Sequence, residues 1–366
     1  MSDARRRNSG GCHFGSLELW TLLASLTFCA CADGPELETN PSSACAGDGI
    51  EGKQAQPLFN AGRSATYLAL TDTEQTAIGR LTSAETRGVV CTATQVSADW
   101  ALTARHCRLD EKMRFLTGKA NQREVVDWVM HPELDVALVR LSPNPCATKS
   151  VLPIAELEAE VELSRATLAG YGLAADNSIG ELGFLIESVV LHDDTRVQVE
   201  GFGRSGACVG DSGGPLLIRD RRGRAALLGV LSAGASTCVG RDIYLRADSL
   251  LGWIQTYVEL PTFSSDCGAI GEQGRCFDGQ AVWCADGSLV SKTCDGDTTC
   301  GYDERANGYR CSVSPRCAGD SFGSCSGSVA NHCSPEGPTS ETCSDAGLTC
   351  AYAPVTGSAG CMPAPP

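Results

Sequence analysis

The sequence Cys208-Val209-Gly210-Asp211-Ser212-Gly213-Gly214-Pro215 carries the most specific chemical information in the chain. A serine between glycines lies in a tight turn whose backbone approaches a substrate closely and leaves N–H groups free to face a developing oxyanion. Ser212 is therefore the candidate nucleophile. A serine hydroxyl is a weak nucleophile near neutral pH, so this interpretation requires a histidine base and a carboxylate that orients it.

The composition excludes several classes of partner. The chain has 366 residues and a formal net charge of −15, whereas nucleic acids and anionic membranes require a basic face. Its length allows one domain of about 200 residues and something smaller. The 21 cysteines lack the CxxC pairs typical of zinc sites and indicate disulfides formed in an oxidising compartment. We therefore expect no nucleic-acid partner, no metal and no other cofactor.

The first residues have the pattern of a secretory signal. Arg5-Arg6-Arg7 precedes an apolar run, Leu19 to Ala32, that is shorter than the roughly 20 residues a membrane-spanning helix needs. Ala30-Cys31-Ala32 fits a small-x-small cleavage site, whereas Ala30-Cys31 alone resembles a bacterial lipoprotein site whose cysteine is acylated. Two outcomes stay open: a soluble secreted protein, or a lipid anchor at Cys31 on the outer cell surface. No later segment is apolar enough for a transmembrane helix.

Composition also divides the chain into segments. Residues 33–63 are rich in Gly, Pro, Ser and Ala with little periodicity, which indicates a propeptide or linker. After Pro261 the sequence changes to Gly, Ser, Asp and Cys with few large apolar residues. The predicted boundaries are 1–32 for the signal, 33–63 for the propeptide or linker, 64–260 for a main domain, 261–266 for a second linker, and 267–311 and 317–361 for two cysteine-rich modules.

The main domain has the sequence of a β protein. Nine short runs of β-forming residues alternate with turns, which is typical of an all-β barrel or sandwich. Ser249–Val258 has apolar residues at spacings of three and four and predicts a terminal amphipathic helix. The basic run at 219–224 predicts a solvated hairpin tip. The predicted strands are Ala77–Thr82, Gly88–Gln95, Trp100–Thr103, Val125–Val129, Val136–Leu141, Ala166–Tyr171, Val189–His192, Pro215–Ile218 and Ala225–Ser232.

The region after the main domain is a duplicated six-cysteine module. Such a small module with so few apolar residues does not bury enough surface to fold unaided, so we expect three disulfides per copy. The sequence does not choose among the possible pairings. A metal site is the rival interpretation, but His332 is the only further ligand of the usual kind. Cys267, Cys276, Cys284, Cys294, Cys300 and Cys311 have counterparts 49 or 50 residues on, at Cys317, Cys325, Cys333, Cys343, Cys350 and Cys361.

Two upstream motifs supply the partners that Ser212 requires. Trp100-Ala101-Leu102-Thr103-Ala104-Arg105-His106-Cys107, with Cys91 before it, and Leu134-Asp135-Val136-Ala137-Leu138-Val139-Arg140-Leu141 resemble motifs of the chymotrypsin/trypsin family of serine endopeptidases. The order His106, Asp135, Ser212 is also that family's order. The resemblance covers about residues 66–260, with further matches at Leu168-Ala169-Gly170-Tyr171-Gly172, Gly229-Val230-Leu231-Ser232-Ala233-Gly234 and Trp253-Ile254-Gln255.

The resemblance implies a fold and a set of roles. It implies two six-stranded antiparallel β-barrels with a C-terminal helix, so that the whole protein is all-β with two small disulfide-rich modules at its end. Ser212 is then the nucleophile, His106 the general base and acid, and Asp135 the group that orients the imidazole. The N–H groups of Gly210 and Ser212 form the oxyanion hole. Polypeptides are the implied substrates, and a surface or polysaccharide ligand is conceivable for the modules.

The same resemblance assigns disulfides in the main domain. Cys91 would pair with Cys107 and brace the histidine loop, and Cys208 with Cys238 would tie the serine loop to the wall of the specificity pocket. Cys45 and Cys146 remain and by exclusion would pair with each other, unless either bonds to a C-terminal module.

The family's primary specificity pocket has unusual residues here. The residue six before the nucleophile, at the base of the pocket, is Gly206, where trypsin-like members carry Asp. Ser232 and Gly234 match the strand that pairs with the substrate backbone. Asp242, in a stretch matching the family's pocket-wall turn, either points inward and favours a P1 Lys or Arg, or points to solvent and leaves an open apolar pocket.

Activation and activity each leave alternatives. In the family a new N-terminal ammonium pairs with the aspartate before the nucleophile, here Asp211. That N-terminus is Ile50, or Ser64 after cleavage at Arg63, or the role belongs to an internal arginine without a zymogen step. The rival to a secreted endopeptidase is a catalytically silent protease homologue that binds ligands through its cysteine-rich repeats.

Overall fold

A computed structural model describes most of the chain after residue 57. The predicted signal, Cys31, and the proposed pair Cys45 and Cys146 lie outside the described residues. These residues are 58–62, 65, 67–83, 88–118, 121–144, 151–155, 163–263, 266–313, 322–334 and 337–363.

Six antiparallel strands form a first closed barrel. They are β1 (Ile78–Thr82), β2 (Val89–Gln95), β3 (Trp100–Thr103), β4 (Arg114–Thr117), β5 (Asn121–Met130) and β6 (Ala137–Leu141), and they pair in the order β1-β2-β3-β6-β5-β4 with β4 closing on β1. Alternate residues of β5 face inward, so that Arg123 and Val125 are buried while Glu124 and Val126 are exposed. The Arg123 guanidinium donates to the carbonyls of Ala98, Leu141 and Ser142 and so ties neighbouring strand ends together.

A second closed barrel of six antiparallel strands follows. Its strands are β7 (Arg165–Gly170), β8 (Gly183–His192), β9 (Arg196–Glu200), β10 (Pro215–Arg219), β11 (Ala225–Ala233) and β12 (Arg241–Arg246), in the order β10-β11-β12-β9-β8-β7. All six residues of β7 are buried, because this strand faces the barrel core on one side and packed segments on the other.

The two barrels share part of one core. Ile78, Leu102 and Leu138 of the first barrel lie in the same buried cluster as Leu217 and Val230 of the second. Apolar burial of this kind is the main favourable term in folding, so the barrels are held together as a unit. The loops that carry the candidate site residues meet at this junction.

Helices are short in the described part of the chain. They comprise α1 (Asp72–Gln75), α2 (Leu251–Tyr257) and the 3-10 turns Arg105–Cys107, Asp248–Leu250 and Cys343–Ala346. Thr71 and Glu74 form a reciprocal capping box at α1. None of these helices has the length and hydrophobicity that crossing a membrane would require.

Two small disulfide-rich modules follow α2. Module 1 contains β13 (Arg275–Phe277), β14 (Gln280–Ala285), β15 (Ser288–Thr293), β16 (Thr299–Asp303) and β17 (Gly308–Ser312). Module 2 contains β18 (Ser324–Ser326), β19 (Val329–Ser334), β20 (Gly337–Thr342), β21 (Thr349–Tyr352) and β22 (Ala359–Met362). Among the described residues, disulfides join Cys267 to Cys284, Cys276 to Cys300 and Cys294 to Cys311 in module 1, and Cys325 to Cys350 and Cys343 to Cys361 in module 2, while Cys317 lies outside the described residues.

The predicted fold class is confirmed, and three strands are additional to the prediction. The sequence predicts two six-stranded barrels, a closing helix and disulfide-rich modules, as observed. It does not predict β4, β9 or β12. Charged residues at both ends of β12 hide its strand pattern, and the stretch predicted to be a turn from Arg241 to Tyr244 pairs with both β11 and β9.

Candidate active site

A histidine and an aspartate from neighbouring loops of the first barrel form a bonded pair. His106 lies in the 3-10 turn that follows β3, and Asp135 lies in the connection between β5 and β6. The His106 Nδ1 atom is 2.7 Å from Asp135 Oδ2, and the His106 backbone N–H donates to Asp135 Oδ1 at 3.0 Å. The two contacts fix both the position and the rotation of the imidazole.

The hydrogen bonds of Asp135 set the chemistry of this histidine. Because the carboxylate accepts at Nδ1, the neutral imidazole carries its proton there and presents Nε2 as an acceptor. The hydroxyl of Ser232 donates to the same Oδ2 atom at 2.9 Å. Ser232, predicted to bind substrate, thus contacts Asp135 through its side-chain hydroxyl. His106 keeps 46% of its side chain exposed, so its free nitrogen is accessible.

The serine turn packs directly against the strand end that precedes His106. Gly213 has φ +79°, in the left-handed region that favours glycine. A Cβ at this position would overlap the Thr103 hydroxyl and lie 2.6 Å from the Ala104 nitrogen. Glycine is therefore required here for the serine of the second barrel to approach the histidine loop of the first.

Thr92 of β2 clasps the serine turn. Its backbone N–H donates to the Ser212 carbonyl at 2.9 Å, and its hydroxyl donates to the Gly210 carbonyl at 3.0 Å. The same hydroxyl accepts from the Tyr171 N–H at 3.1 Å, and the Thr92 carbonyl accepts from the Thr103 hydroxyl at 2.8 Å. Sequence analysis missed both threonines, since an inward threonine on a strand has no motif of its own.

The polar groups that surround Ser212 are only partly engaged. In the part of the chain that the structure describes, the Ser212 side chain makes no hydrogen bond to His106, and the N–H groups of Gly210 and Ser212 donate to no protein acceptor. Such bonds between a nucleophile and its base are often long before substrate binds. The two N–H groups are available to an added acceptor.

The second barrel holds a buried aspartate directly behind Ser212. Asp211 is 1% exposed and accepts from the N–H groups of Gly172 at 2.7 Å and Cys208 at 2.9 Å. Side chains at Gly170 or Gly172 would overlap its carboxylate. Burial raises the pKa of Asp211 to about 7, and the two N–H donors oppose that shift.

The predicted pocket residues lie around a second buried aspartate. Asp242 is fully buried, and its Oδ2 atom accepts from the Ala207 N–H at 2.7 Å. A Cβ at Gly234 would lie 2.6 Å from Asp242 Oδ1, so the carboxylate reaches the wall that Gly234 forms. Gly206 lies beside the Cys238 backbone. A Cβ built on Gly206 would lie 2.9 Å from the Cys238 carbonyl oxygen. The carboxylate of Asp242 is therefore buried and does not point to solvent.

A third buried acid, Glu187 of β8, lies next to this aspartate. It is 2% exposed, and its Oε1 atom accepts from the Ser205 hydroxyl at 3.1 Å. Burial and the nearby charge of Asp242 raise the pKa of Glu187 well above its usual range. Burial likewise raises the pKa of Asp242 to about 7, against the backbone N–H groups of Ala207 and Ala235. Sequence analysis missed Glu187, because a single glutamate in an apolar strand gives no functional signal.

The cysteines near the site are paired. Disulfides join Cys91 to Cys107 and Cys208 to Cys238, as predicted. The sulfurs of Cys91 and Cys107 lie close to a nitrogen of His106 in a cluster that has metal-ligand composition. Both sulfurs are consumed by their disulfide and offer no thiolate, so this cluster does not have the chemistry of a metal site.

The comparison with protein families accounts for this arrangement. The family model described as Trypsin matches residues 71–254, just over half of the chain. The chain belongs to the trypsin family. The match ends before the first cysteine-rich module, so this trypsin-family protein carries its modules beyond the matched region. The resemblance stated from the sequence motifs is thereby confirmed.

Individual relatives agree with the family. The chain is 32% identical over 173 residues to an uncharacterized peptidase of Corynebacterium glutamicum, a match that covers 44% of this chain and 58% of that protein. It is 26% identical over 204 residues to a chymotrypsin of Phaedon cochleariae, covering 46% and 72% of the two chains. It is 25% identical over 216 residues to the vitamin K-dependent protein C of Oryctolagus cuniculus, covering 47% of each.

The clasp at Thr92 yields a first prediction. Replacing Thr92 by valine keeps its shape but leaves the Gly210 carbonyl and the Tyr171 N–H without their buried partner. We expect a loss of about 1–3 kcal/mol in the free energy of unfolding, measured by urea denaturation. Thr73→Val at an exposed position of α1 is the control and should change stability little. Equal stabilities of the two variants would contradict the role given to the clasp.

The buried carboxylate of Asp211 yields a second prediction. Its pKa is about 7 in the folded protein against about 4 in an unfolded chain. Between these values the folded state holds a proton that the unfolded state has lost, so this group's contribution to stability is complete below pH 4 and disappears as the pH rises through 7. We expect Asp211→Asn to lose less stability than the parent protein between pH 4 and pH 8, measured by denaturant midpoints.

Asp193 supplies the control of opposite sign. Hydrogen bonds from the Thr195 N–H and hydroxyl and the Arg196 N–H lower the pKa of this exposed aspartate. Asp193→Asn should therefore remove stability at neutral pH and not at low pH. A steeper pH dependence in Asp211→Asn than in the parent protein would refute the assignment of a proton to buried Asp211.

Proposed function

We propose that the protein is a secreted serine endopeptidase that hydrolyses peptide bonds through His106, Asp135 and Ser212 and an acyl-enzyme intermediate. The observation that carries the proposal is the His106–Asp135 pair, bonded at 2.7 Å beside a serine turn that Gly213 allows to approach it. Membership of the trypsin family supports the reaction class. The disulfides are compatible with an extracellular protein, and soluble secretion is preferred here to an anchor at Cys31.

The first half of the reaction forms the acyl-enzyme. The Ser212 Oγ atom attacks the scissile carbonyl carbon while His106 Nε2 accepts the hydroxyl proton. Asp135 stabilises the resulting imidazolium through the Nδ1 bond. The tetrahedral intermediate places its oxyanion against the N–H groups of Gly210 and Ser212. It collapses when His106 gives the proton to the leaving amine and the C–N bond breaks.

The second half of the reaction restores the enzyme. Water enters in place of the amine and loses a proton to His106 as its oxygen attacks the acyl carbon. A second tetrahedral intermediate forms at the same two N–H groups, and the proton passes from His106 to Ser212 Oγ as the ester bond breaks. The carboxylic acid product leaves. Each oxyanion donor in such a site contributes about 10²–10³ in rate.

The proposal includes a processing step that supplies a cation for Asp211. Among the described residues no arginine, lysine or histidine pairs with this carboxylate, whose hydrogen bonds come from backbone N–H groups. A nearby positive charge favours the ionised form of an acid. A new N-terminal ammonium at Ile50, produced by cleavage after Gly49, would supply that charge and would leave residues 58–70 in the chain.

The same proposal gives the pocket a preference for basic P1 side chains. Gly206 places no side chain at the base of the pocket, and buried Asp242 has one oxygen, Oδ1, without a hydrogen bond that meets ordinary geometry. A P1 Lys or Arg would form a charge-assisted bond to it. Burial, and then the neighbouring Asp242, raise the pKa of Glu187 and favour its neutral form, which would leave the pocket with a single negative charge.

A fluorophosphonate probe tests the reaction directly. We expect the probe to modify Ser212 in processed, folded protein, and expect the labelling rate to fall by about 10⁴-fold or more in His106→Ala. Intact mass and peptide mapping identify the modified residue. N-terminal sequencing of the labelled fraction identifies the processing site.

The controls separate loss of chemistry from loss of fold. His192→Ala is the histidine control, since His192 lies at the end of β8 in the second barrel, and it should keep its labelling. Processed parent protein that resists the probe while its disulfides and circular dichroism are intact would support the rival, a catalytically silent homologue.

Substitution of Asp242 tests the specificity. Asp242→Asn keeps the shape of the side chain and removes its charge, so we expect the KM for substrates with P1 Arg or Lys to rise about 10- to 100-fold at pH 8. Turnover of substrates with an uncharged P1 residue should change little. In the parent protein the KM for basic substrates should fall as the pH rises through 7, since Asp242 ionises there. Asp193→Asn is the control, and equal effects on both substrate classes would exclude Asp242 as the determinant.

A further inference from the structure

The described residues of the stretch 58–70, which precedes the first barrel, lie on the surface of the second barrel. Most of them are buried, with Leu58 and Leu68 each 1% exposed and Tyr67 3% exposed, whereas Asn60 is exposed. Sequence analysis assigns residues 58–63 to a propeptide or linker, for which such burial is unexpected. We call residues 58–70 the N-terminal segment.

The N-terminal segment and module 2 occupy one edge of β8 in succession. Gly62 exchanges two backbone hydrogen bonds with Phe184, at 2.9 and 2.8 Å. Two residues along the same strand, the Ile186 N–H donates to the carbonyl of Pro354 at 2.8 Å. Next to Pro354, Val355 lies so close to Gly62 that a side chain at Gly62 would overlap it. Module 2 thus covers the segment at the point where the segment pairs with the barrel.

A buried arginine joins the same three parts. Arg165 of β7 is 1% exposed. Its guanidinium donates to the carbonyls of Gly323 and Gly357, both in module 2. It stacks on the ring of Tyr67 at 5.0 Å and on the ring of Tyr352 at 4.1 Å. A buried arginine is stable only with such partners. Its location requires the barrel, the segment and module 2 together.

Module 1 also contacts the segment, at Tyr67, and contacts the barrel beside it. Phe277 meets the Tyr67 ring edge-on with centroids 5.8 Å apart, and Arg219 stacks over Phe277 while donating to the carbonyls of Leu68 and Ala69. Val282 of module 1 packs against Gly223. The hairpin tip at 219–224, predicted to be solvated, is therefore partly covered by module 1.

The segment also reaches the predicted specificity pocket. The Phe59 N–H donates to the Gly206 carbonyl at 3.1 Å, and Gly206 is the predicted base of that pocket. Anything that holds the segment in place therefore holds this part of the pocket in place.

We propose that the ligand of the cysteine-rich modules is this chain's own N-terminal segment, and that by clamping residues 58–70 onto the second barrel the modules fix the base of the specificity pocket. The modules are on this account an internal binding surface and not free binding domains for a polysaccharide. The contact between the modules and the N-terminal segment does not depend on the proposed endopeptidase function, whereas its effect on catalysis rests on that function.

A matched pair of variants tests the clamp in the full-length protein. Val355→Asp places a charge against Gly62, whereas Val313→Asp places the same charge at a site that is 72% exposed. Amide hydrogen exchange followed by mass spectrometry reports on the peptide 58–70 and, as an internal reference, on the peptide of β5. We expect exchange in residues 58–70 to become at least tenfold faster in Val355→Asp, with β5 unchanged and Val313→Asp equal to the parent protein.

Enzyme kinetics test the consequence of the clamp. In Val355→Asp we expect kcat/KM to fall about tenfold with most of the change in KM, because the pocket is loosened while the His106–Asp135 pair is untouched. Should Val355→Asp fail to fold, Val355→Ala is expected to show smaller changes in the same direction. Unchanged exchange in residues 58–70 would overturn the clamp. Faster exchange with unchanged KM would overturn its effect on the pocket.

These outcomes are distinct from failure of the proposed function. If the parent protein is not labelled by a fluorophosphonate, the enzyme proposal fails while the exchange measurement still decides the clamp. If labelling of Ser212 is normal and residues 58–70 stay protected in Val355→Asp, the enzyme proposal stands and the modules bind something else.

Discussion

The clasp of the serine turn by the first barrel is the interaction on which the rest of the site depends. Thr92 bonds to the carbonyls on both sides of Asp211, those of Gly210 and Ser212, and so places a loop of one barrel against the histidine loop of the other. Neither barrel contains a complete site. In the same turn the N–H groups of Gly210 and Ser212 donate to no acceptor among the described residues, whereas those of Asp211 and Gly213 are bonded to the Cys208 and Leu231 carbonyls. The alignment of the two barrels therefore depends on a few buried hydrogen bonds, and losing any one of them would lower the stability of the protein.

The position of His106 likewise depends on a small number of hydrogen bonds. Its ring is fixed by a single carboxylate that also accepts from its backbone N–H and from Ser232 across the junction. Asp135 thus links the first barrel to β11 of the second. A change in how the barrels pack would alter the orientation of the imidazole directly. The large apolar core that the two barrels share resists such a change in packing, and the loops above it therefore need few polar contacts to keep their alignment.

The sequence predicts those parts of the site that have strict local requirements and misses those that depend on distant contacts. Gly213 and His106 belong to short motifs whose backbone needs are visible in the chain, and the barrels follow from them by family resemblance. Thr92 and Glu187 lie on strands, where their residue types are ordinary and their partners are far away in sequence. The pairing of the module cysteines and the burial of Tyr67 also depend on tertiary contacts that no local pattern records.

Three buried acids in the second barrel share one electrostatic property. Asp211, Asp242 and Glu187 lie in the second barrel, and burial raises the pKa of each. Backbone N–H groups relieve part of the cost of ionising Asp211 and Asp242, and the Ser205 hydroxyl relieves part of that cost for Glu187. A cation that approaches Asp242 or Asp211 would complete the balance, and under the proposed function one arrives with the substrate and the other with a new N-terminus. The N-terminal segment contacts Gly206 on the same barrel through the Phe59 N–H, so the proposed clamp would act on this part of the barrel. Under the proposed function, the ionised forms of Asp211 and Asp242 are thus stabilised by the same ligands that make the protein active.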